Sequence, residues 1–216
     1  VPASQGRALM ESLCRIFVLG AVRLEQGDRV VTRFRTQKTA ALLAHLALHL
    51  GRPSLREDLV GLLWPDAEPA QARNSLSQAI SSLRHQLEPP NMSPGRLLVA
   101  DRHSIALARE HVWVDVAEIV RLERSGQFEA ALELIGGPFA AGIGEAWIEA
   151  ERDSLRNRFE GFALRSARRH LEAGEHDSAA TIALRWLTVE PCCEAAAEIA
   201  VRALIAVGRE EQAGIV

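Results

Sequence analysis

The stretch from Pro69 to Glu88, PAQARNSLSQAISSLRHQLE, decides how the first half of the chain is interpreted. At the roughly 100° per residue of an α-helix, its apolar side chains fall on one stripe, which predicts an amphipathic helix packed on a core. The stripe consists of Ala72, Leu76, Ala79, Ile80, Leu83 and Leu87. The opposite face carries hydroxyl, amide, Arg and His side chains, and the only acid of the stretch is its last residue.

This polar face differs from the Glu- and Lys-rich surface that is typical of an amphipathic helix. Amide side chains bind the edge of adenine in two places, and Arg binds guanine or phosphate. The composition of the face therefore predicts that the helix reads double-stranded DNA, whereas the alternative is an ordinary surface helix with few charges. The candidate contacts on this helix are Arg73, Asn74, Ser77, Gln78, Ser81, Arg84 and His85.

The bulk composition is that of a globular chain of one large or two small domains. The 216 residues are 48% hydrophobic and 25% charged, which is enough apolar material for a core. No apolar run approaches the roughly 20 residues needed to cross a bilayer, and the first residues lack the apolar segment of a signal peptide. The three cysteines form no C-x-x-C pair, which argues against a disulfide framework. We therefore predict a cytoplasmic protein with no membrane partner.

The charge is divided unevenly between the two halves of the chain. Residues 1–108 contain 13 Lys and Arg against 9 Asp and Glu, a net charge of +4, whereas residues 109–216 contain 12 against 19, a net charge of −7. Such a division indicates a nucleic-acid-binding part joined to an acidic part.

The order of elements in the first half predicts a winged helix-turn-helix, of the response-regulator effector type, at residues 14–110. Three short strands between residues 14 and 33 predict an antiparallel meander, preceded by an extension at residues 1–13. A first helix is predicted over Thr36–Leu50. A second helix is predicted to begin at Ser54, with Glu57 in capping-box spacing, and to end at Trp64 before Pro65. The helix from Pro69 follows, and Leu97–Ala100 with Ile105–Ala108 predict a hairpin wing.

This arrangement places further basic residues where they can contact DNA. The second helix and its turn hold the third helix so that it enters a major groove about 12 Å wide. Arg35 and Lys38 lie near the start of the first helix, where free backbone N–H groups also favour phosphate. Arg102 and His103 lie at the tip of the predicted wing and are further candidates.

The second half is helical and contains a repeat. Gly174-Glu-His-Asp-Ser-Ala179 recurs as Gly208-Arg-Glu-Glu-Gln-Ala213, an offset of 34 residues, which is the tetratricopeptide period. Residues 126–131, GQFEAA, are a weaker copy. We predict an all-α tetratricopeptide-like domain at residues 111–216, and the fold class is mainly α with small β-sheets. Because Val216 falls inside the last repeat, we expect the natural chain to continue.

No pattern in the chain supports catalysis, a cofactor or a metal site. His45 and His49 are four residues apart, but H-E-x-x-H is absent and no third ligand is evident. The Gly-rich loop at residues 136–144 is not followed by G-K-[ST], which argues against a phosphate-binding P-loop. We therefore predict that the protein is not an enzyme.

Several motifs together resemble the Streptomyces antibiotic regulatory protein (SARP) family. In the first half they are RTQKTAALLAHLAL at residues 35–48, LLWPD at 62–66 and ARNSL at 72–76, which resemble the family's DNA-binding domain. In the second half, VDV at 114–116, WIEAER at 147–152 and the glycine repeats resemble the bacterial transcriptional activator domain. In the wing, where many members have Gly-Tyr, this chain has DRHS at residues 101–104.

The resemblance implies a sequence-specific regulator of transcription, usually an activator. Its partners would be double-stranded promoter DNA containing direct repeats, RNA polymerase, and a second copy in a homodimer. It also implies that residues 73–85 form the recognition helix. Two other functions stay open. The chain could be an interaction module that has lost DNA binding, or the regulatory front end of a larger signalling protein or enzyme.

Overall fold

The computed structural model describes residues 14–90 and 92–216, so the predicted extension at residues 1–13 lies outside the described part of the chain. The described residues form two compact units. The first unit comprises residues 14–118 and Phe139–Ala150, and the second comprises Ile119–Pro138 and Glu151–Val216.

The described elements follow the predicted order of strands, helices, wing and helices. The strands are β1 Cys14–Phe17, β2 Arg23–Gln26, β3 Arg29–Val31, β4 Ser54–Leu55, β5 Leu98–Ala100, β6 Ser104–Leu107 and β7 Val112–Val114. The helices are α1 Gln37–Leu48, α2 Arg56–Leu63, α3 Pro69–Leu87, α4 Asp115–Arg124, α5 Phe128–Glu133, α6 Ala146–Glu172, α7 His176–Leu187, α8 Glu194–Ala206 and α9 Glu210–Ala213.

The predicted meander is confirmed, and the structure adds a fourth strand to it. Strands β1, β2 and β3 pair antiparallel, and β7 pairs parallel to β1, giving the order β3-β2-β1-β7. The parallel pair brings Val114 opposite Ile16, which places the end of the wing domain beside its first strand.

Buried Asp115 ties this strand pair together at the start of α4. Its carboxylate accepts hydrogen bonds from the backbone N–H groups of Val18 at 2.8 Å, Leu19 at 2.9 Å and Val116 at 2.8 Å. The side chain is fully buried. Burial raises the pKa of Asp115 to about 6, although the three hydrogen bonds oppose the rise. A carboxylate enclosed in this way fixes where β1 ends and where α4 begins.

The prediction that Ser54 caps the second helix is wrong. Ser54 and Leu55 pair with β6, opposite Ile105 and Ser104, and α2 begins only at Arg56. No side chain caps α2, and the backbone N–H of Arg56 donates instead to the carbonyl of His103 at 2.9 Å. The tip of the wing thus supplies an acceptor for one backbone N–H at the start of α2. The first helix is also shorter than predicted and ends at Leu48, with Thr36 as its N-cap.

Helix α3 matches its prediction closely. The helix spans Pro69–Leu87, with Pro69 in its first turn, where proline is tolerated. Its buried residues are Ala72, Leu76, Ala79, Ile80, Leu83 and Leu87, which are the predicted stripe. Packing of this stripe on the core of the first unit leaves the polar face outward.

The predicted hairpin wing is confirmed as part of a three-stranded sheet. Strand β6 lies between β4 and β5, in the order β4-β6-β5, and β5 pairs antiparallel with β6. At the end of α3, the buried carboxylate of Glu88 accepts hydrogen bonds from the N–H groups of Gly95, Leu97 and Leu98, at 2.8 to 3.0 Å. This carboxylate joins the end of α3 to the wing.

The second unit contains the predicted repeat of helix, glycine and helix. Gly174 and Gly208 have φ of 78° and 73°, and each follows the end of a helix. Gly174 donates to Leu171 and the next residue donates to His170, which is the Schellman pattern, and the same pattern surrounds Gly208. Gly126 ends α4 in the same way, so the weaker copy is also a helix end. Small residues such as Ala179 and Ala203 are buried where α7 and α8 pack.

Three further observations concern the cysteines, metal-binding groups and helices of the described residues. Cys14, Cys192 and Cys193 are free cysteines, and the Cys14 thiol is buried. No group of three His, Cys, Asp or Glu side chains within residues 14–90 and 92–216 is arranged to hold a metal ion. Over the same residues, no helix is both long enough and apolar enough to span a bilayer.

Candidate nucleic-acid interface

The outward face of α3 presents uncharged polar side chains to solvent. Asn74, Gln78, Ser81 and His85 are all exposed, and their spacing of three or four residues aligns them along one side of the helix. The Ser77 hydroxyl donates to the carbonyl of Arg73 at 2.9 Å. The structure therefore brings most of the predicted α3 contacts together on one accessible surface, which we call the polar face.

Arg73, at the start of the polar face, is held by an acid from the preceding helix. Its Nε lies 3.0 Å from Oε1 of Glu57, and its Nη2 lies 3.3 Å from Oε2. This two-point contact orients the guanidinium group, but both side chains are more than half exposed. Because exposed ion pairs contribute at most about 1 kcal/mol, a phosphate or base can replace Glu57 at little cost.

Arg84, by contrast, is used within the fold. The side chain is half-buried, its Nη2 is 3.5 Å from the carbonyl oxygen of Leu98, and its Nε is 3.5 Å from Glu88. These contacts direct Arg84 toward the wing strand β5. Among the predicted α3 residues, Arg84 is the one that the structure places away from the polar face.

A niche of about 160 Å³ lies between α1 and the polar face. Its charged lining residues are Arg35 and Lys38, and α3 contributes Ser75 and Gln78. The niche also includes Thr36, the N-cap of α1, whose hydroxyl accepts from the Thr39 N–H at 3.1 Å. Two basic side chains beside a helix N-terminus are suited to binding a phosphate group. The predicted phosphate contacts thus adjoin the predicted base contacts.

Lys38 has an acidic neighbour in this structure. Its Nζ lies 2.9 Å from Oε2 of Glu145, a residue of the segment Phe139–Ala150 within the same unit. Glu145 was not among the residues predicted from the sequence, because its local sequence suggests only a loop before a helix.

The tip of the wing is folded tightly, with its two predicted contact residues exposed. The Asp101 carboxylate accepts from the N–H groups of His103 and Ser104, both at 2.7 Å, and these bonds lower the pKa of Asp101. Arg102 donates to the ring of His103 at 2.9 Å. Arg56 binds the carbonyl of Asp101 at 2.9 Å, which ties the tip to α2.

Three acids whose contacts the sequence did not predict organise this surface. Glu57 orients Arg73, Glu88 joins α3 to the wing, and Glu145 contacts Lys38. In the sequence, Glu57 stands in capping-box spacing from Ser54 and Glu88 is the only acid of the stretch Pro69–Glu88, but neither pattern predicts these contacts.

His45 and His49 show no arrangement for metal binding. Their rings stack with centroids 4.4 Å apart, and Nε2 of His45 lies 3.2 Å from the Ser54 hydroxyl. Burial, together with the nearby His49, lowers the pKa of His45 to about 4. His45 thus packs the last turns of α1 against Ser54 of β4.

Comparison with known families finds one matching family model in each half of the chain. Residues 32–103 match the family model described as transcriptional regulatory protein, C terminal. Residues 115–214 match the bacterial transcriptional activator domain. The chain has the domain architecture of the SARP family. The polar face of α3 lies within the first of these two matches, and Glu145 lies within the second.

The fold of the chain is also seen in a solved structure. The chain is similar to that of Mycobacterium tuberculosis EmbR, solved in complex with a low affinity phosphopeptide, with a TM-score of 0.71 and 21% sequence identity. The match covers 94% of this chain and 57% of the EmbR chain, and at this identity it concerns the fold. No curated protein matches the chain by sequence.

Proposed function

We propose that this SARP chain activates transcription by binding direct repeats in promoter DNA and contacting RNA polymerase. The observation that supports the proposal best is the exposed polar face of α3, with the niche of Arg35 and Lys38 beside it. Base-reading and phosphate-binding groups adjoin on one surface, as a major-groove helix requires. The proposed role is binding in the cytoplasm, as a monomer or a homodimer on DNA, with no catalytic step.

In the proposed complex, amides of the polar face bind base edges while Arg35, Lys38 and Arg73 neutralise phosphates or contact guanine. Asn74 and Gln78 have the two-point geometry for adenine. Arg102 and His103 at the wing tip contact the flanking backbone. RNA polymerase contact and promoter repeats are proposed from the family architecture.

A salt titration of DNA affinity tests the proposed function. Duplexes would be selected from a random library with the wild-type chain, and affinity measured between about 50 and 200 mM salt. Each neutralised phosphate lowers the slope of log K against log salt by about 0.9. Phosphate contacts by Arg35, Lys38 and Arg73 therefore predict a slope near −3 per protomer. Arg35→Gln should make this slope shallower by about 0.9.

A control substitution in the second unit separates specific contact from general charge. Arg168 is exposed on α6, and Arg168→Gln should leave the slope unchanged. Failure to select any duplex, or an affinity for DNA that does not change with salt, would exclude this function. The interaction-module alternative would then become the favoured function.

A further inference from the structure

The surface that we propose to face DNA contains a glutamate that competes with phosphate for a basic side chain. We propose that Glu145 is a positioning residue that holds Lys38 in the free protein and thereby sets the affinity of the site for DNA. This inference rests on the proposed function, and it concerns a residue that neither the sequence nor the family match assigns to DNA binding.

The ion pair between Lys38 and Glu145 is more enclosed than the ion pair between Arg73 and Glu57. The Glu145 side chain is 15% exposed and the Lys38 side chain 33% exposed, compared with 58% for Arg73 and 67% for Glu57 in the other pair. Because a half-buried pair is screened less by solvent than an exposed one, Glu145 competes with phosphate more effectively than Glu57 does.

The segment around Glu145 is anchored so that its carboxylate stays near Lys38. The N–H of Ala140 donates to Val18 at 2.7 Å, and that of Ala141 donates to Gly20 at 2.8 Å. At the other end of the segment, the Glu145 carbonyl accepts the first hydrogen bonds of α6, and the Trp147 ring lies 5.6 Å from that of His45 on α1. These contacts anchor both ends of the segment, so the carboxylate is held beside Lys38.

Lys38 lines the niche together with Gln78 of the polar face, so a phosphate bound there would lie within reach of the same ammonium group. Glu145 and a phosphate are both anions that bind this group through oxygen atoms. A phosphate at Lys38 therefore either draws the ammonium group away from Glu145 or lies beside the Glu145 carboxylate as a second anion, and the energetic cost of either arrangement lowers DNA affinity.

Glu145 connects the two family matches of the chain, because its sequence position and its place in the fold differ. Glu145 lies within residues 115–214, the range that matches the activator domain, yet it belongs to the compact unit that holds α3. A residue of the activator-domain sequence thus partly neutralises Lys38, a basic side chain of the surface that we propose to bind DNA.

The first test compares DNA affinity and salt slope for Glu145→Gln and for a matched control. Glu145→Gln removes the charge and keeps the size of the side chain, and it should raise affinity about fivefold, the effect of losing one partly exposed ion pair. The salt slope should also steepen, by up to about 0.9. In the wild type, the Glu145 carboxylate takes up a cation when Lys38 moves to a phosphate, whereas the glutamine of the variant takes up none. Glu110→Gln removes the same charge from an exposed position of the same unit and should leave both values near wild type.

The second test asks whether the effect acts through Lys38. In a Lys38→Ala background, Glu145→Gln should no longer change affinity or slope. An equal gain in both backgrounds would show a general charge effect and would overturn the inference. Unchanged affinity in Glu145→Gln, with normal salt-dependent binding by the wild type, would overturn the inference while leaving the proposed function intact. Absence of DNA binding in all variants would overturn both.

A third test requires no DNA, since Lys38 is the only lysine in the sequence. Acylation by an amine-reactive acetyl ester, quantified at the Lys38 peptide by mass spectrometry, reports directly on the freedom of this side chain. The rate should rise severalfold in Glu145→Gln and stay at the wild-type value in Glu110→Gln. Equal rates in all three proteins, each with an unchanged circular dichroism spectrum, would contradict the contact.

Discussion

Replacement of Asn74 and Gln78 by alanine should weaken binding to a selected duplex by about 100-fold while leaving binding to unrelated duplex nearly unchanged. Each two-point contact between an amide and a base contributes about 1 to 3 kcal/mol of discrimination, and a factor of ten corresponds to about 1.4 kcal/mol. Phosphate contacts, which dominate non-specific affinity, are not touched by these substitutions. Fluorescence anisotropy with both duplexes at one salt concentration measures the two affinities.

The control for this experiment removes the same two side-chain amides elsewhere. Asn157 and Gln212 are exposed in the second unit, and their replacement by alanine should change neither affinity. If Asn74→Ala/Gln78→Ala bound the selected duplex as tightly as the wild type does, the polar face would not read bases. An equal loss on both duplexes would instead indicate that the substitutions disturb the fold.

The second large effect concerns Asp115 and is a dependence of stability on pH. Burial raises the pKa of this carboxyl in the folded chain from 3.8 to about 6, so the folded state holds the proton more tightly than the unfolded state does. The stabilisation from this proton is complete below about pH 4, is lost as the pH rises through 6, and stays lost above it. The free energy of unfolding of the wild type, relative to Asp115→Asn, should therefore fall between pH 4 and pH 7, by at most about 3 kcal/mol.

Urea denaturation followed by tryptophan fluorescence at several pH values measures this difference. Asp115→Asn is itself destabilised, because an amide cannot accept all three backbone hydrogen bonds, but its stability relative to the wild type should shift with pH. Asp66→Asn, at an exposed position, controls for the loss of one carboxylate. A wild type that gains stability relative to Asp115→Asn as the pH rises would contradict the raised pKa of this carboxyl.

Local patterns predicted α3 well because its signals are local. The apolar stripe repeats over five turns, Pro69 stands in the first turn, and the Pro89-Pro90 pair follows the last. The glycine ends of the helices in the second unit were predictable for the same reason, since a left-handed residue after a helix needs no distant partner. The polar composition of the α3 face was likewise visible in the sequence.

Contacts between distant segments account for what the sequence did not predict. Ser54 has the spacing of a helix cap, but pairing with Ile105, some 50 residues away, places it in a strand. Asp115 reads as the first acid of a helix, and its burial depends on the parallel pairing of β1 with β7. Glu145 contacts Lys38 across 107 residues, and no periodicity relates the two positions.

Photo-cross-linking from the polar face tests the central claim most directly. Benzoylphenylalanine placed at exposed Ser81 of α3 should form cross-links to bases within the selected site, whereas the same group at exposed Asn157 of α6 should form none. Cross-links from position 157 alone, or none from position 81 to a duplex that the protein binds, would show that α3 does not enter the groove.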